Sequence, residues 1–188
     1  MSARTLSVAP SLANISVDPA PGVLTNCAIN VTSSVPFGAG GVEYYRYEFD
    51  QSPTRVWNGT EPAWSGGPLQ VSATSAGSNW YLHLKGYNAS GVANGTLDIG
   101  PFNFSPTLRP KDLADGTALK FCGKVVSAAY SGAFYIVEID RVSGIKVLST
   151  TPVQIGDVVD VAGTVMTSGG ERYVQATGVT LNQSLPGD

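Results

Sequence analysis

The side chains of Asn79-Trp80-Tyr81-Leu82-His83-Leu84-Lys85-Gly86-Tyr87-Asn88 alternate with a period of two. The even-numbered positions from 80 to 86 carry Trp, Leu, Leu and Gly, and the odd-numbered positions from 81 to 87 carry Tyr, His, Lys and Tyr. This alternation predicts a β-strand with one face against a core and the other towards water. The sequence Asn88-Ala89-Ser90-Gly91 follows directly and predicts a turn. We therefore expect the flanking segments to form strands that pack around this one.

The rest of the N-terminal half repeats this pattern in short segments. The clearest is residues 42–50, where Tyr45, Tyr47 and Phe49 share one parity. The chain of 188 residues has 22 glycines and 12 prolines spread along it and no run with helical periodicity, which is typical of a turn-rich all-β fold. Further strands are predicted at residues 6–17 (interrupted at Pro10), 23–31, 69–74 and 97–104.

The C-terminal half predicts five strands of its own, after a boundary at residues 105–110 that two prolines stiffen. Gly123 interrupts the first strand and predicts a β-bulge or a close approach of another segment. Gly169-Gly170 predicts a hairpin turn between the last two strands. Residues 149–154 are too few for a helix, so we expect a loop there. The strands are predicted at residues 119–128, 134–139, 144–148, 158–165 and 171–176.

Two family resemblances add to this pattern. Residues 80–91, an aromatic-led strand that ends in Asn-Ala-Ser-Gly, resemble the penultimate strand and turn of fibronectin type III and related immunoglobulin-like domains. Residues 44–48 resemble the third strand of that family, although Trp80 holds the position of its leading Tyr and Tyr81 is out of phase. The second half resembles an OB-fold, which is a small Greek-key barrel. The residues that carry this resemblance are 123–125, 134–136, 144–147 and 156–163.

The expected architecture is all-β, with a fibronectin-III/immunoglobulin-like β-sandwich (residues 1–104), a Pro-rich linker (105–110) and an OB-like five-stranded β-barrel (111–188). The resemblance implies a non-catalytic extracellular or cell-surface module of bacteria with a structural or adhesive role. No signal peptide follows Met1 and no segment is apolar enough to span a membrane. Either the protein stays where it is made, or the sequence is a mature fragment; we expect the second, as part of a longer secreted polypeptide.

The expected partners are other modules of the same or neighbouring chains. An unpaired sheet edge can accept a strand from a neighbour, so further copies of this chain are included. Residues 6–17 are the segment that we expect to act as the donor.

The charge of the chain argues against nucleic acid as a partner. Only 13% of the residues are charged, the net charge is -3 and the pI is about 5.0. From residue 111 onward there are six basic and eight acidic residues, whereas nucleic-acid binders usually show a basic surplus. The OB resemblance keeps oligonucleotide binding as an alternative, with Phe134 and Tyr135 stacking on bases and Lys146 contacting phosphate.

No catalytic or metal-binding constellation is recognisable in the sequence. His83 is the only histidine, lies on the polar parity of its strand and is expected to be solvated. Neither a Gly-x-Ser-x-Gly nucleophile motif nor an Asp-x-Asp-x-Asp-Gly calcium loop occurs. We therefore predict no catalytic residue, no metal and no cofactor.

Four aromatic residues form the candidate ligand-binding set. Trp57 and Trp64 lie in an irregular segment, and Tyr44 and Tyr87 lie on the outward parities of their strands. Exposed aromatic rings stack on the apolar faces of sugars, so this set predicts polysaccharide binding as an alternative function. The other interpretation is that a Trp beside a sandwich covers the open edge of its core.

Two cysteines, Cys27 and Cys122, lie on apolar strands of the two predicted domains. The first expectation is a pair of buried free thiols. A disulfide between the domains is the alternative, whereas a zinc site is disfavoured because the chain has one His and no closely spaced Cys pair.

Overall fold

A computed structural model describes residues 6–105, 109–137 and 143–183. Within these ranges the regular structure consists of strands and one turn of 3₁₀ helix at Pro110–Asp112. The all-β prediction is confirmed, and no helix of the described residues is long and apolar enough to cross a membrane. The chain divides into an N-terminal unit (residues up to Gly22 together with Ala28–Phe104) and a barrel unit (Val23–Cys27 together with the chain from Ser105 onward).

The described ranges contain thirteen strands, most of them close to the predicted positions. Of the predicted linker, residues 106–108 lie outside the described ranges, as do the last two residues of the strand predicted at 134–139. The strands are β1 (Ile15–Asp18), β2 (Leu24–Thr25), β3 (Ile29–Ser33), β4 (Tyr44–Asp50), β5 (Ala63–Trp64), β6 (Leu69–Val71), β7 (Gly77–Tyr87), β8 (Ala93–Phe104), β9 (Ala118–Tyr130), β10 (Ala133–Val137), β11 (Gly144–Leu148), β12 (Val158–Ser168) and β13 (Glu171–Gln183).

The N-terminal unit contains two antiparallel sheets that share one core. One sheet has the order β1-β3-β6, and the other has the order β8-β7-β4-β5. The alternation predicted for β7 is observed, because Trp80, Leu82 and Leu84 are buried in this core. Phe49 of β4 stacks on Trp80 with ring centroids 5.2 Å apart. The strand predicted from residues 79–88 therefore lies inside this sheet, between β8 and β4.

The first part of the strand predicted at residues 6–17 does not pair in a sheet. Only Ile15–Asp18 pairs with β3, and the preceding residues instead pack along β7 and β8. The Asn94 side-chain amide donates to the Ser7 carbonyl, and Ser7 itself is buried. A Cβ on Gly95, whose φ is +70°, would lie 2.9 Å from the Cβ of Ala9. The N-terminal segment (residues 6–14) therefore packs at a position on β8 where Gly95 leaves room because it has no side chain. We call this position the seat beside Gly95.

The barrel unit contains the predicted closed five-stranded barrel. Its strand order is β9-β12-β13-β11-β10, and β10 pairs again with β9 to close the ring. The pair β11–β13 is parallel and the other pairs of the ring are antiparallel. Alternate side chains fill the interior, namely Leu119, Phe121, Val126, Phe134, Ile136, Ile145, Val147, Val159, Val161, Val165 and Val174.

Gly123 forms the predicted bulge in β9. Its φ is +69°, and its backbone N–H donates to Oδ1 of Asp160 at 2.9 Å. The pairing with β12 shifts there, so that buried positions change from odd (Phe121) to even (Val126). Glycine adopts this left-handed conformation without steric cost, which explains why the strand bends at this residue.

The prediction of a single strand at residues 23–31 is wrong, because β2 ends at Thr25 and β3 begins only at Ile29. The Cys27 backbone N–H donates to Oγ1 of Thr25 at 2.9 Å, a local side-chain turn that competes with strand pairing. Residues Leu24 and Thr25 then pair in parallel with β9 of the barrel, whereas β3 joins the N-terminal unit. The barrel unit thus contains a piece of chain from the N-terminal half.

A disulfide joins Cys27 to Cys122, so the expectation of two free thiols is wrong. Both cysteines belong to the barrel unit, and the bond therefore lies within one unit instead of between domains. Asn26 supports the junction, because its Oδ1 accepts from the Cys122 N–H at 2.9 Å and its Nδ2 donates to the Cys122 carbonyl at 3.4 Å. The side chain of Asn26 thus continues the hydrogen bonding of the β2–β9 pair.

The double variant Cys27→Ala/Cys122→Ala tests the contribution of this bond to stability. The disulfide closes a loop with a sequence separation of 95, and the chain-entropy argument gives about 4.7 kcal/mol for a loop of that length. We expect the variant to lose that free energy of unfolding in denaturant titrations followed by circular dichroism. Reductant should destabilise the wild type and leave the variant unchanged. Two reactive thiols in unreduced, unfolded wild-type protein would contradict the assignment.

Candidate functional site

The outward face of the sheet β8-β7-β4-β5 carries a group of neighbouring aromatic and charged side chains. Tyr44 lies opposite Tyr87, Arg46 opposite Lys85, and Glu48 opposite His83. The loop at residues 51–62 adds Arg55, Trp57 and Glu61 to this face. Two neighbouring groups result, an aromatic–cationic patch (Tyr44, Arg46, Trp57, Lys85 and Tyr87) and an acidic network (Glu48, Asp50, Arg55, Glu61, His83 and Asp98).

The aromatic–cationic patch alternates rings with positive charges. The rings of Tyr44 and Tyr87 are stacked, with centroids 5.0 Å apart and an interplanar angle of 6°, because the two residues are direct cross-strand partners. The Arg46 guanidinium lies 5.9 Å from the centroids of both tyrosine rings. The Lys85 ammonium lies 5.9 Å from the ring centroids of Tyr87 and Trp57. All five side chains are half-buried, so each keeps part of its surface open to solvent.

Glu61 anchors the loop that carries Trp57. Its carboxylate is buried and accepts from the backbone N–H groups of Asn58 at 2.9 Å and Gly59 at 3.0 Å. The hydrogen bond from Asn58 is the main cause that lowers the pKa of Glu61 from its ordinary value of 4.5 to about 2. The Arg46 guanidinium donates to the Glu61 carbonyl, which ties the loop to β4. Trp57 is therefore held close to the sheet by its own loop.

Arg55 is the centre of the acidic network. Its guanidinium lies 3.4 Å from a Glu48 oxygen, 3.2 Å from an Asp50 oxygen and 3.4 Å from a Glu61 oxygen. One cation thus faces three carboxylates, of which Glu61 is fully buried. Networks of this kind hold a loop in place more firmly than an isolated surface pair does.

His83 is fully buried, so the expectation of a solvated histidine is wrong. Its Nδ1 lies 2.6 Å from Oδ1 of Asp98 on β8, and its Nε2 lies 3.4 Å from Oδ1 of Asp50 on β4. The Tyr81 ring is roughly parallel to the imidazole, with centroids 6.4 Å apart. The physical reason for the burial is that carboxylates from both neighbouring strands flank the imidazole. Strand parity identifies the outward face but does not show what covers it.

The structure brings together three of the four residues predicted to bind sugar, because Lys85 lies against Trp57 and Tyr87 while Tyr44 stacks on Tyr87. Trp64 is not among them. It is only 4% exposed, packs in the core against Tyr45 and donates its indole N–H to the Gly67 carbonyl at 2.8 Å. Its position agrees with the alternative that it covers the core edge.

The sequence interpretation missed Arg46 and Lys85 as members of the patch. Their signal was present, since each lies two residues from a patch tyrosine on the same strand. Positions two apart on a strand point to the same face, so both cations had to accompany Tyr44 and Tyr87.

The three residues suggested for oligonucleotide binding do not form an open cationic surface. Phe134 is buried in the barrel core. The Tyr135 hydroxyl donates to one Glu171 oxygen at 2.6 Å, and the Lys146 ammonium lies 3.0 Å from the other. These hydrogen bonds lower the pKa of Glu171 and raise the pKa values of Tyr135 and Lys146. The charge of Lys146 is therefore compensated within the barrel surface.

No group of three or more His, Cys, Asp or Glu side chains within residues 6–105, 109–137 and 143–183 is placed to hold a metal ion. In the acidic network, the carboxylates instead face Arg55 and His83. The arrangement is suited to fixing the loop at residues 51–62 on the sheet, beside an accessible aromatic–cationic patch.

Glu61→Gln tests the loop anchor through its dependence on pH. Because the folded-state pKa of Glu61 lies below its ordinary value, the carboxylate stabilises the fold above about pH 4.5, and this stability is lost as the pH falls towards 2. We expect the variant to unfold at a lower temperature than the wild type at neutral pH, with the difference shrinking between pH 4.5 and 2. Thermal unfolding across this range measures it. Glu43→Gln, at an exposed glutamate, is the matched control. A difference that stays constant with pH would contradict the anchor role.

Comparisons of the chain with protein-family models, with curated proteins and with solved structures gave no match. What the chain does must therefore be inferred from its own residues, and the aromatic–cationic patch is the surface whose chemistry is most specific.

Proposed function

We propose that the chain is a non-catalytic, extracellular or cell-surface module with a structural or adhesive role. Disulfides persist in oxidising compartments, so the Cys27–Cys122 bond supports a secreted location. We also propose that the N-terminal unit is a fibronectin-III/immunoglobulin-like sandwich and that the barrel is OB-like. The barrel assignment is supported by its strand order, in which the first strand pairs with the second and fourth and the third runs parallel to the fifth.

Self-assembly through the N-terminal segment is part of this proposal. Leu6, Val8 and Leu12 are 63%, 41% and 71% exposed, so the segment presents apolar surface to a neighbour. Its seat beside Gly95 can receive the same segment from another copy with the same contacts, which is the usual route of strand exchange. The proposed donor is thus the segment that the sequence suggested, acting through this seat.

A chain that lacks residues 1–10 tests the exchange. We expect wild-type protein to associate with rising concentration in sedimentation velocity, and the truncated chain to remain monomeric and bind a synthetic peptide of residues 1–14. Gly95→Ala should weaken peptide binding about tenfold by overpacking the seat, whereas Gly91→Ala, at the same φ of +70° with open space around it, should not. Unchanged assembly of the truncated chain would remove this part of the proposal.

Polysaccharide binding is the second candidate function, and the aromatic–cationic patch is the observation that favours it. The half-buried Trp57 ring and the Tyr44–Tyr87 stack lie on one face of one sheet, fixed by a buried loop anchor. Preorganised rings of this kind suit the apolar face of a sugar, since few side chains have to be ordered on binding. Such a module would attach the cell, or an enzyme joined to the module, to a polysaccharide.

Affinity electrophoresis in gels that contain soluble polysaccharides tests this second function. Trp57→Ala and Tyr44→Ala should each weaken the retardation of the protein about tenfold, because central aromatic contacts carry much of the energy of such interfaces. Tyr130→Ala, at a tyrosine of the barrel unit that is 67% exposed, is the matched control and should leave retardation unchanged. Retardation that survives both patch variants would exclude the patch as the binding surface.

A further inference from the structure

We propose that the aromatic–cationic patch binds an acidic polysaccharide, with the sugar rings on Trp57 and the tyrosines and the acidic groups on Arg46 and Lys85. This inference rests on the second proposed function and specifies its ligand. The ligand chemistry is a pyranose that carries a carboxylate or a sulfate.

The first observation is how the charges on this sheet face are separated. The carboxylates of Glu48, Asp50 and Glu61 all face Arg55, and Asp98 faces His83. Each of these carboxylates therefore faces a side chain of its own network and not a cation of the patch. None of these carboxylates forms an ion pair with Arg46 or Lys85 in the described part of the chain.

The second observation is that most N–H donors of both patch cations have no hydrogen-bond acceptor within the described ranges. The Arg46 guanidinium has one hydrogen bond within the described ranges, to the Glu61 carbonyl, and a guanidinium has five N–H donors. The Lys85 ammonium contacts only aromatic faces among the described residues, those of Trp57 and Tyr87. Carboxylates and sulfates are the groups that such donors bind most strongly, through charge-assisted hydrogen bonds.

The third observation is the distance between rings and charges. Each cation lies 5.9 Å from the centroids of two rings, so a sugar on a ring has a positive group within reach of its own substituents. A neutral sugar would use the rings and leave the two cations without an anionic partner. An acidic sugar uses both, which is why the patch favours it.

The overall charge of the chain favours a polysaccharide over a nucleic acid. The net charge of -3 works against a partner as densely charged as DNA or RNA, because attraction then depends on two cations alone. A polysaccharide with one acidic group per sugar offers fewer charges and larger apolar ring faces. Single-stranded DNA is therefore the competing ligand in the test.

The experiment compares four probes with the full chain by isothermal titration calorimetry: polygalacturonate, which carries carboxylates only, lambda-carrageenan, a galactan that carries sulfates only, neutral galactan and single-stranded oligo(dT). We expect at least one acidic polysaccharide to bind more tightly than galactan, with affinity that falls as NaCl increases. The better ligand of the first two distinguishes a carboxylate from a sulfate site. Lys85→Met and Arg46→Gln should each weaken acidic binding about tenfold, and Lys85→Arg should retain it.

Lys111→Met, at an exposed lysine of the barrel unit, is the control for charge loss alone and should not change binding. Lys85→Met keeps the aliphatic stem against Trp57, so it remains informative if Arg46→Gln loosens the loop. Equal binding of galactan and the acidic probes, with no effect of Lys85→Met, would overturn the acidic ligand but leave polysaccharide binding standing. Binding of no polysaccharide would overturn both, and tighter binding of oligo(dT) would identify a nucleic-acid surface instead.

Discussion

The buried carboxylate of Glu61 is the contact on which the position of Trp57 in the aromatic–cationic patch depends. It accepts two backbone N–H groups from its own loop and faces Arg55, while its backbone carbonyl accepts from Arg46. This set of bonds fixes the loop at residues 51–62 against the sheet and places Trp57 beside Lys85. The same network also engages the acidic side chains of the face. A single anchored loop thus adds Trp57 to the tyrosines of the sheet, while its carboxylate at Glu61 pairs with Arg55 and not with the neighbouring patch cations.

Much of the fold could be predicted because strand periodicity is a local signal. The alternation of residues 79–88 gave the central strand, and Gly123 marked the bulge at which buried positions of β9 change parity. The barrel of the second half was expected because its five strands resemble an OB-fold, which is a small Greek-key barrel. For the site, parity placed Tyr44 and Tyr87 on one face, and the direct pairing of these two residues then followed from the register of β4 and β7.

The remaining features depend on contacts between residues distant in sequence, which no local pattern encodes. His83 has the parity of a solvated residue and is buried by carboxylates from strands on either side. Residues 23–31 look like one strand, yet the side-chain turn at Thr25 divides them between two units. Cys27 and Cys122 are far apart in sequence, and their pairing depends on the position of β2 beside β9.

The disulfide also determines which residues lie on the shortest covalent path through the chain. Cys27 precedes Ala28 and Cys122 lies in the first strand of the barrel, so all residues of the N-terminal unit after Gly22 lie inside the loop that the bond closes. Tension applied at the two ends follows the covalent path through the sulfur atoms and bypasses the residues between them. The sheet that carries the aromatic–cationic patch therefore lies outside the path of the force, whereas the N-terminal segment lies within it. The strands that form this sheet all lie between the two cysteines, so tension along that path cannot draw them out until the bond is reduced.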